Sequence, residues 1–167
     1  MKVSCLLFFI VFSQYKRESV SLPTTGIKKV FKLPKTISSE TEIIINGTMK
    51  ILNNIFYVAL LDKQKKSLCE LTYDTYTNNV TMTSELSGPV SDEYFLENSN
   101  SLLPAPFSLK IEPKMSRSRH LINLFFEADD AGQLSLVPCE IKNFESVHRI
   151  VVKGADRINS LVFTFKN

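Results

Sequence analysis

The segment Leu68–Thr83 has the clearest strand pattern in the sequence, and it reads Leu-Cys-Glu-Leu-Thr-Tyr-Asp-Thr-Tyr-Thr-Asn-Asn-Val-Thr-Met-Thr. Side chains alternate between the two faces of a β-strand, so Cys69, Leu71 and Tyr73 share one face and polar residues share the other. The alternation resumes after the polar stretch from Thr75 to Asn79. The segment therefore predicts two strands joined by a turn, with an apolar face in a core and a polar face toward solvent.

Other short apolar runs of strand length, some alternating and some continuous, follow along the chain, among them Thr41–Asn46, Ile55–Leu61, Leu121–Ala128 and Ser160–Phe165. No run has the spacing of an amphipathic helix, and 12 Phe and 5 Tyr favour strands. A chain of 167 residues with 44% apolar content is sufficient for one core. We therefore predict a single all-β domain of about ten short strands, a sandwich or a barrel.

Two stretches are predicted to be loops. Alternation lapses between Ser84 and Pro106, which is the longest irregular stretch of the sequence. The segment Lys114–His120 is predicted to be a basic loop, either a solvated connection or a contact for sulfated glycans or an acidic partner.

The N-terminus has the features of a leader. Lys2 precedes the apolar run Val3–Phe12, which is too short to span a bilayer, and cleavage is predicted after Ser13 or Ser21. We expect residues 1–21 to be a signal peptide and leader, 22–29 a linker and 30–167 the domain, which makes the protein secreted. The alternative is an N-terminal strand or an extension that packs on the domain.

Cysteines and sequons are consistent with export. Removal of a leader leaves Cys69 and Cys139, which form either one disulfide or two buried free thiols. Asn46 and Asn79 begin Asn-x-Thr triplets and are predicted glycosylation sites.

Motifs for catalysis and for cofactors are missing from the sequence. It contains neither Gly-x-Ser-x-Gly nor a glycine-rich phosphate loop, and its Cys and His residues do not have the spacing of a zinc site. We expect no enzyme activity, cofactor or metal, although Glu70, Asp74 and Glu93 remain candidates for a glycosidase pair. A net charge of +3 without a dense basic block gives no indication of nucleic-acid binding.

From about Val30 to Phe165, the order of strands resembles a galectin carbohydrate-recognition domain. The resemblance is carried by scaffold motifs: Phe31-x-Leu33-Pro34, Glu42-Ile43-Ile44-Ile45-Asn46-Gly47, Phe56-Tyr57-Val58-Ala59-Leu60, Pro104-Ala105-Pro106-Phe107-Ser108-Leu109-Lys110-Ile111 and His148 to Asp156. It implies a two-sheet antiparallel jelly-roll sandwich of the galectin and concanavalin type that holds a β-galactoside on one sheet.

The sugar-binding motif of the family is altered in this chain. Its His-x-Asn-x-Arg row falls on Thr72, Asp74 and Tyr76, the following Asn falls on Thr83, and its Glu falls on Glu93. The family's Trp falls near Val90, and the chain has no Trp. Tyr76, Tyr94 or Phe95 could replace its stacking surface.

The resemblance supports two interpretations of function. The first is a secreted, non-catalytic protein that binds a β-galactoside, another glycan or a glycoprotein. The second is a protein-interaction module, such as a homodimer, that has kept the sandwich and lost sugar binding.

Overall fold

The computed structural model describes residues 16–19, 28–49, 55–74, 76–77, 79–95, 105–128 and 133–165, with backbone alone for 16–19 and 90–95. Within these ranges the chain forms two antiparallel sheets. The seven-stranded sheet has the order β1 (Lys16–Ser19), β13 (Ala155–Phe165), β3 (Thr41–Met49), β8 (Pro106–Ser116), β9 (Arg119–Ala128) and β10 (Gln133–Ser135), and β11 (Cys139–Ile141) also pairs with β9. The predicted all-β, two-sheet antiparallel architecture is confirmed.

The six-stranded sheet has the order β2 (Lys29–Lys32), β12 (Arg149–Lys153), β4 (Ile55–Leu61), β5 (Ser67–Asp74), β6 (Asn79–Ser84) and β7 (Gly88–Phe95). One turn of 3-10 helix, Phe144–Ser146, precedes β12. No helix in the described ranges is long and apolar enough to cross a membrane.

The core lies between the sheets and is built from the alternate residues of each strand. In β3, and in β5 from Cys69 onward, every second residue is buried, including Ile43, Ile45, Leu71 and Tyr73. The Phe56 ring of β4 crosses the interface and lies 4.6 Å from the ring centroid of Phe107 and 5.7 Å from that of Phe126. Aromatic pairs of this kind add about 1 kcal/mol each beyond burial, so these rings hold the two sheets together.

A disulfide also joins the sheets. Cys69 of β5 is bonded to Cys139 of β11, with the two Cα atoms 5.8 Å apart. Both cysteines are buried. The sequence left a disulfide and two buried free thiols as alternatives, and the structure has the disulfide. This bond ties the six-stranded sheet to the edge of the seven-stranded sheet.

Two predictions about loops were wrong. The stretch Ser84–Pro106 contains β7, which pairs along β6 despite its weak alternation. Pro89 is tolerated because it stands second in a strand at the edge of its sheet. The predicted loop Lys114–His120 is instead the end of β8, a two-residue turn at Arg117 and Ser118, and the start of β9.

The predicted leader lies largely outside the described residues. Within the leader, β1 pairs with β13 from Lys16 opposite Phe165 to Ser19 opposite Val162. Cleavage after Ser13 would keep β1, whereas cleavage after Ser21 would remove it. The division of the chain into leader, linker and domain stays a prediction.

Candidate functional site

The outward face of β5 and β6 carries a row of polar side chains. Glu70 and Thr72 alternate with buried Leu71 and Tyr73, and Thr83 alternates with buried neighbours in β6. The register places Thr72 opposite Thr81 and Glu70 opposite Thr83. Residues that face each other across an antiparallel pair share a side of the sheet, so the polar face predicted from Leu68–Thr83 is confirmed.

Neighbouring strands extend this surface through Tyr57 and Lys153. Tyr57 of β4 lies opposite Thr72, and its hydroxyl donates a hydrogen bond of 2.9 Å to Oε1 of Glu70. On the other side, Lys153 of β12 lies opposite Tyr57, with its Nζ 4.7 Å from the ring centroid. A cation at that distance is attracted to the ring face. The three side chains therefore form a connected ladder across β12, β4 and β5.

Burial and the neighbouring Glu70 carboxylate raise the pKa of the Tyr57 hydroxyl above its ordinary value. Tyr57 thus stays a neutral donor at physiological pH and holds one oxygen of Glu70 in place. Tyr57 has no polar signature in the sequence because β4 is a continuous apolar run, and Lys153 belongs to β12, which is far from β4 in the sequence. Pairing between strands identifies them.

Asp74 and Tyr76 lie at the end of the row and act together. The Oδ1 atom of Asp74 accepts hydrogen bonds from the backbone N–H of Tyr76 at 2.8 Å and of Thr77 at 3.3 Å. This is an Asx turn, in which the carboxylate fixes the backbone that follows it. Tyr76 lies beyond the end of β5, and 83% of it is exposed. Asp74 therefore positions a turn that presents an aromatic ring to solvent.

Solved structures show what this arrangement of sheets resembles. Galectin LEC-6 of Caenorhabditis elegans matches with a TM-score of 0.59 and 11% identity, over 87% of this chain and 94% of that one. Xenopus laevis galectin-Ib matches with a TM-score of 0.58 and 11% identity, over 82% and 99% of the two chains. A toad ovary galectin in complex with thio-digalactose matches with a TM-score of 0.53 and 12% identity, over 90% and 98%.

The fold is that of a galectin. No protein-family model matches the sequence, and no curated protein matches it. The galectin fold is thus established by the course of the backbone, while the identity of 11–12% leaves the ligand of this chain to be inferred from its own residues.

Two predicted site residues lie on the last strand of the six-stranded sheet of this galectin fold. Glu93 and Tyr94 are part of β7, and the backbone of Tyr94 pairs with Val80 of β6. Their side chains are outside what the structure describes. Their contribution to a site with Thr72 and Thr83 stays a prediction.

The two sequons occupy different sheets of the galectin fold. Asn46 of β3 lies on the outward side of the seven-stranded sheet, where its Nδ2 donates to Ser160 Oγ at 3.0 Å. Asn79 is the first residue of β6, and its buried Oδ1 has no hydrogen-bond partner. Glycosylation at either position stays a prediction.

Metal-ligating residues are not gathered at this surface. Among the described residues, no three of the His, Cys, Asp and Glu side chains lie together as a metal site would require. The chemistry that the face offers is hydrogen bonding by hydroxyl and carboxylate groups, with an aromatic ring at one end.

Proposed function

We propose that this chain is a secreted, non-enzymatic lectin that binds a glycan, either a β-galactoside or an altered relative of one, on the outward face of β5 and β6. The observation that carries the proposal is the row of Glu70, Thr72 and Thr83 side chains on an open sheet surface. The proposal is also supported by the similar fold of a toad ovary galectin, which was solved in complex with thio-digalactose.

Sugar hydroxyl groups are donors and acceptors, and the row supplies partners for both. Threonine hydroxyls donate and accept, and the Glu70 carboxylate accepts. The exposed ring of Tyr76 offers an apolar surface against which a sugar ring could pack. Each hydrogen bond contributes about 1 kcal/mol, so a shallow site built from a few of them binds a single glycan weakly. The overall avidity rises when several copies of the glycan are displayed together.

Two of the three candidate carboxylates, Glu70 and Asp74, do not have the spacing of a glycosidase pair. Glu70 and Asp74 stand four residues apart on one strand, a distance of about 13 Å at the rise of a β-strand. Glycosidases hold their two carboxyl groups roughly 5 to 9.5 Å apart. Moreover, Oδ1 of Asp74 already accepts the two backbone hydrogen bonds of its Asx turn.

The buried disulfide between Cys69 and Cys139 supports secretion. Structural disulfides form and persist in oxidising compartments and are rare in the cytosol. The sequons at Asn46 and Asn79 are consistent with that route.

A glycan array tests the proposal, with lactose as competitor and protein made in a secretory host. The double variant Thr72→Ala/Thr83→Ala should weaken binding by about tenfold or more, since it removes two hydroxyls worth roughly 1 kcal/mol each. The matched control is Ser108→Ala/Thr164→Ala, which removes two half-buried hydroxyls from the seven-stranded sheet and leaves both sequons intact. Unchanged binding by the first variant would move the site elsewhere, and silence of a folded sample across the array would refute the lectin proposal.

The second candidate function is self-association or capture of a protein partner. Val30 is 51% exposed on β2, the edge strand of the six-stranded sheet. An edge strand with an exposed apolar residue can pair with another chain. Sedimentation velocity at micromolar concentration should then show a dimer that Val30→Lys dissociates, and a strict monomer would count against this function.

A further inference from the structure

One end of the sandwich collects cations from three segments that are far apart in the sequence. The loop between β4 and β5 contributes Lys63, Lys65 and Lys66, the hairpin between β8 and β9 contributes Arg117 and Arg119, and Lys142 follows β11. All of these side chains are exposed. We call this set the basic end.

Ion pairs show that the three segments form one surface. The Nζ atoms of Lys66 and Lys142 lie 3.4 and 3.7 Å from the same Oε1 of Glu85. Nη1 of Arg119 lies 3.7 Å from Oε2 of Glu140. Ile141 of β11 pairs with His120 of β9, so Lys142 and Arg119 each stand next in sequence to a paired residue.

The carboxylates at this end do not neutralise it. Glu85 is shared by two ammonium groups, and its side chain is only 6% exposed, whereas those of Lys66 and Lys142 are 63% and 65% exposed. A buried carboxylate beneath exposed cations fixes their positions and leaves positive charge at the surface. Counting also Glu140, which pairs with Arg119, and the nearby Asp62 and Glu145, six cations outnumber four carboxylates at this end, so its net charge is positive.

The backbone of the basic end is held in a defined conformation. Asp62 Oδ1 accepts from the N–H of Lys66 at 2.8 Å, and Nη1 of Arg149 donates to the carbonyl of Lys63 at 2.9 Å. Lys65 and Arg117 lie at turns with φ of 67° and 46°. The cations are thus presented from ordered turns, which lowers the entropy cost of binding an anionic polymer.

We propose that the basic end, which adjoins the polar face where β5 begins and β6 ends, binds a sulfated polysaccharide. Several exposed cations from three turns match a polymer that carries sulfate groups at intervals. The disulfide is consistent with an oxidising compartment outside the cytosol, where the protein would encounter sulfated polysaccharides.

Other polyanions fit the described residues less well. Leu86 and Met115 are the large apolar side chains that are exposed near this end, and two half-exposed residues give little area for insertion into a membrane. Neither of them is aromatic, and single-stranded nucleic acids are held largely by stacking on aromatic rings.

The test compares heparin binding by two triple variants of the full secreted chain. Lys65→Gln/Arg117→Gln/Lys142→Gln takes one cation from each segment of the basic end. The matched control Lys28→Gln/Lys110→Gln/Arg157→Gln removes the same charge from elsewhere on the sandwich. Circular dichroism and thermal melting establish that both variants fold.

We expect the first variant to bind heparin about tenfold more weakly and to elute from a heparin column at lower salt, because the attraction is electrostatic and screened by salt. The heparin affinity of the control should stay within about twofold of the wild type. Lactose should not displace heparin from either variant. Equal losses in the two variants would overturn the proposal, as they would indicate a response to net charge alone. Tighter binding to phosphatidylserine vesicles or to a DNA oligonucleotide than to heparin would also overturn it.

Discussion

Gly154 connects β12 to β13 in a conformation that only glycine adopts without strain. Its φ is 78°, and a Cβ placed on it would meet the carbonyl oxygen of Ile55 and the Cα of Phe56. Gly154→Ala should therefore destabilise the protein by about 2 kcal/mol or more, because both a backbone penalty and a clash with the main chain apply. Urea denaturation measures the change in the free energy of unfolding.

Gly88 provides the control, since its φ is 71° but a Cβ there would meet no atom within 4 Å. Gly88→Ala should cost about 1 kcal/mol from the backbone alone. Similar losses at both glycines would show that the close approach to Ile55 is unimportant. The approach of β4 to Gly154 is visible only in the folded chain.

The hairpin of β8 and β9 turns through two residues, Arg117 and Ser118, with φ of 46° and 69°. Two positive φ values in a two-residue connection are typical of a type I′ turn, which favours Asn and Gly. Ser118→Gly should raise the free energy of unfolding by about 0.5 to 1 kcal/mol. In contrast, Ser108→Gly within β8, where strands pair on both sides, should lower it by a similar amount. Thermal melting checks the turn: the melting temperature should rise for Ser118→Gly and fall for Ser108→Gly. A lower melting temperature in both variants would contradict the assignment.

Strand β7 shows why an element can be missed in a sequence. Its residues, Gly88-Pro89-Val90-Ser91-Asp92-Glu93-Tyr94-Phe95, have no clear apolar alternation. The strand forms because β6 offers an open edge with which it pairs. Intrinsic β-propensity is weak compared with such context, so prediction failed here and succeeded for β5, where burial on one face imposes alternation.

The disulfide stabilises the molecule as a whole, because it joins the two sheets across 70 residues of sequence. The chain-entropy model gives about 4 kcal/mol for closing a loop of that length in the unfolded state. Cys69→Ala/Cys139→Ala should lose roughly this much in guanidinium denaturation. Dithiothreitol should destabilise the wild type and leave the double variant unchanged. Equal stability of the wild type with and without dithiothreitol would argue that the bond contributes nothing.

Alternation along Leu68–Thr83 was sufficient to predict the strands β5 and β6 and the outward direction of Thr72 and Thr83. The face to which a strand side chain points is set by its position along the strand alone. Residues far apart in sequence meet only through tertiary structure. The bond from Tyr57 to Glu70, the joining of Cys69 to Cys139, and the shared Glu85 of Lys66 and Lys142 all arise in this way. Register and sheet packing decide such contacts, and both depend on the free energy of the entire core rather than on any short segment.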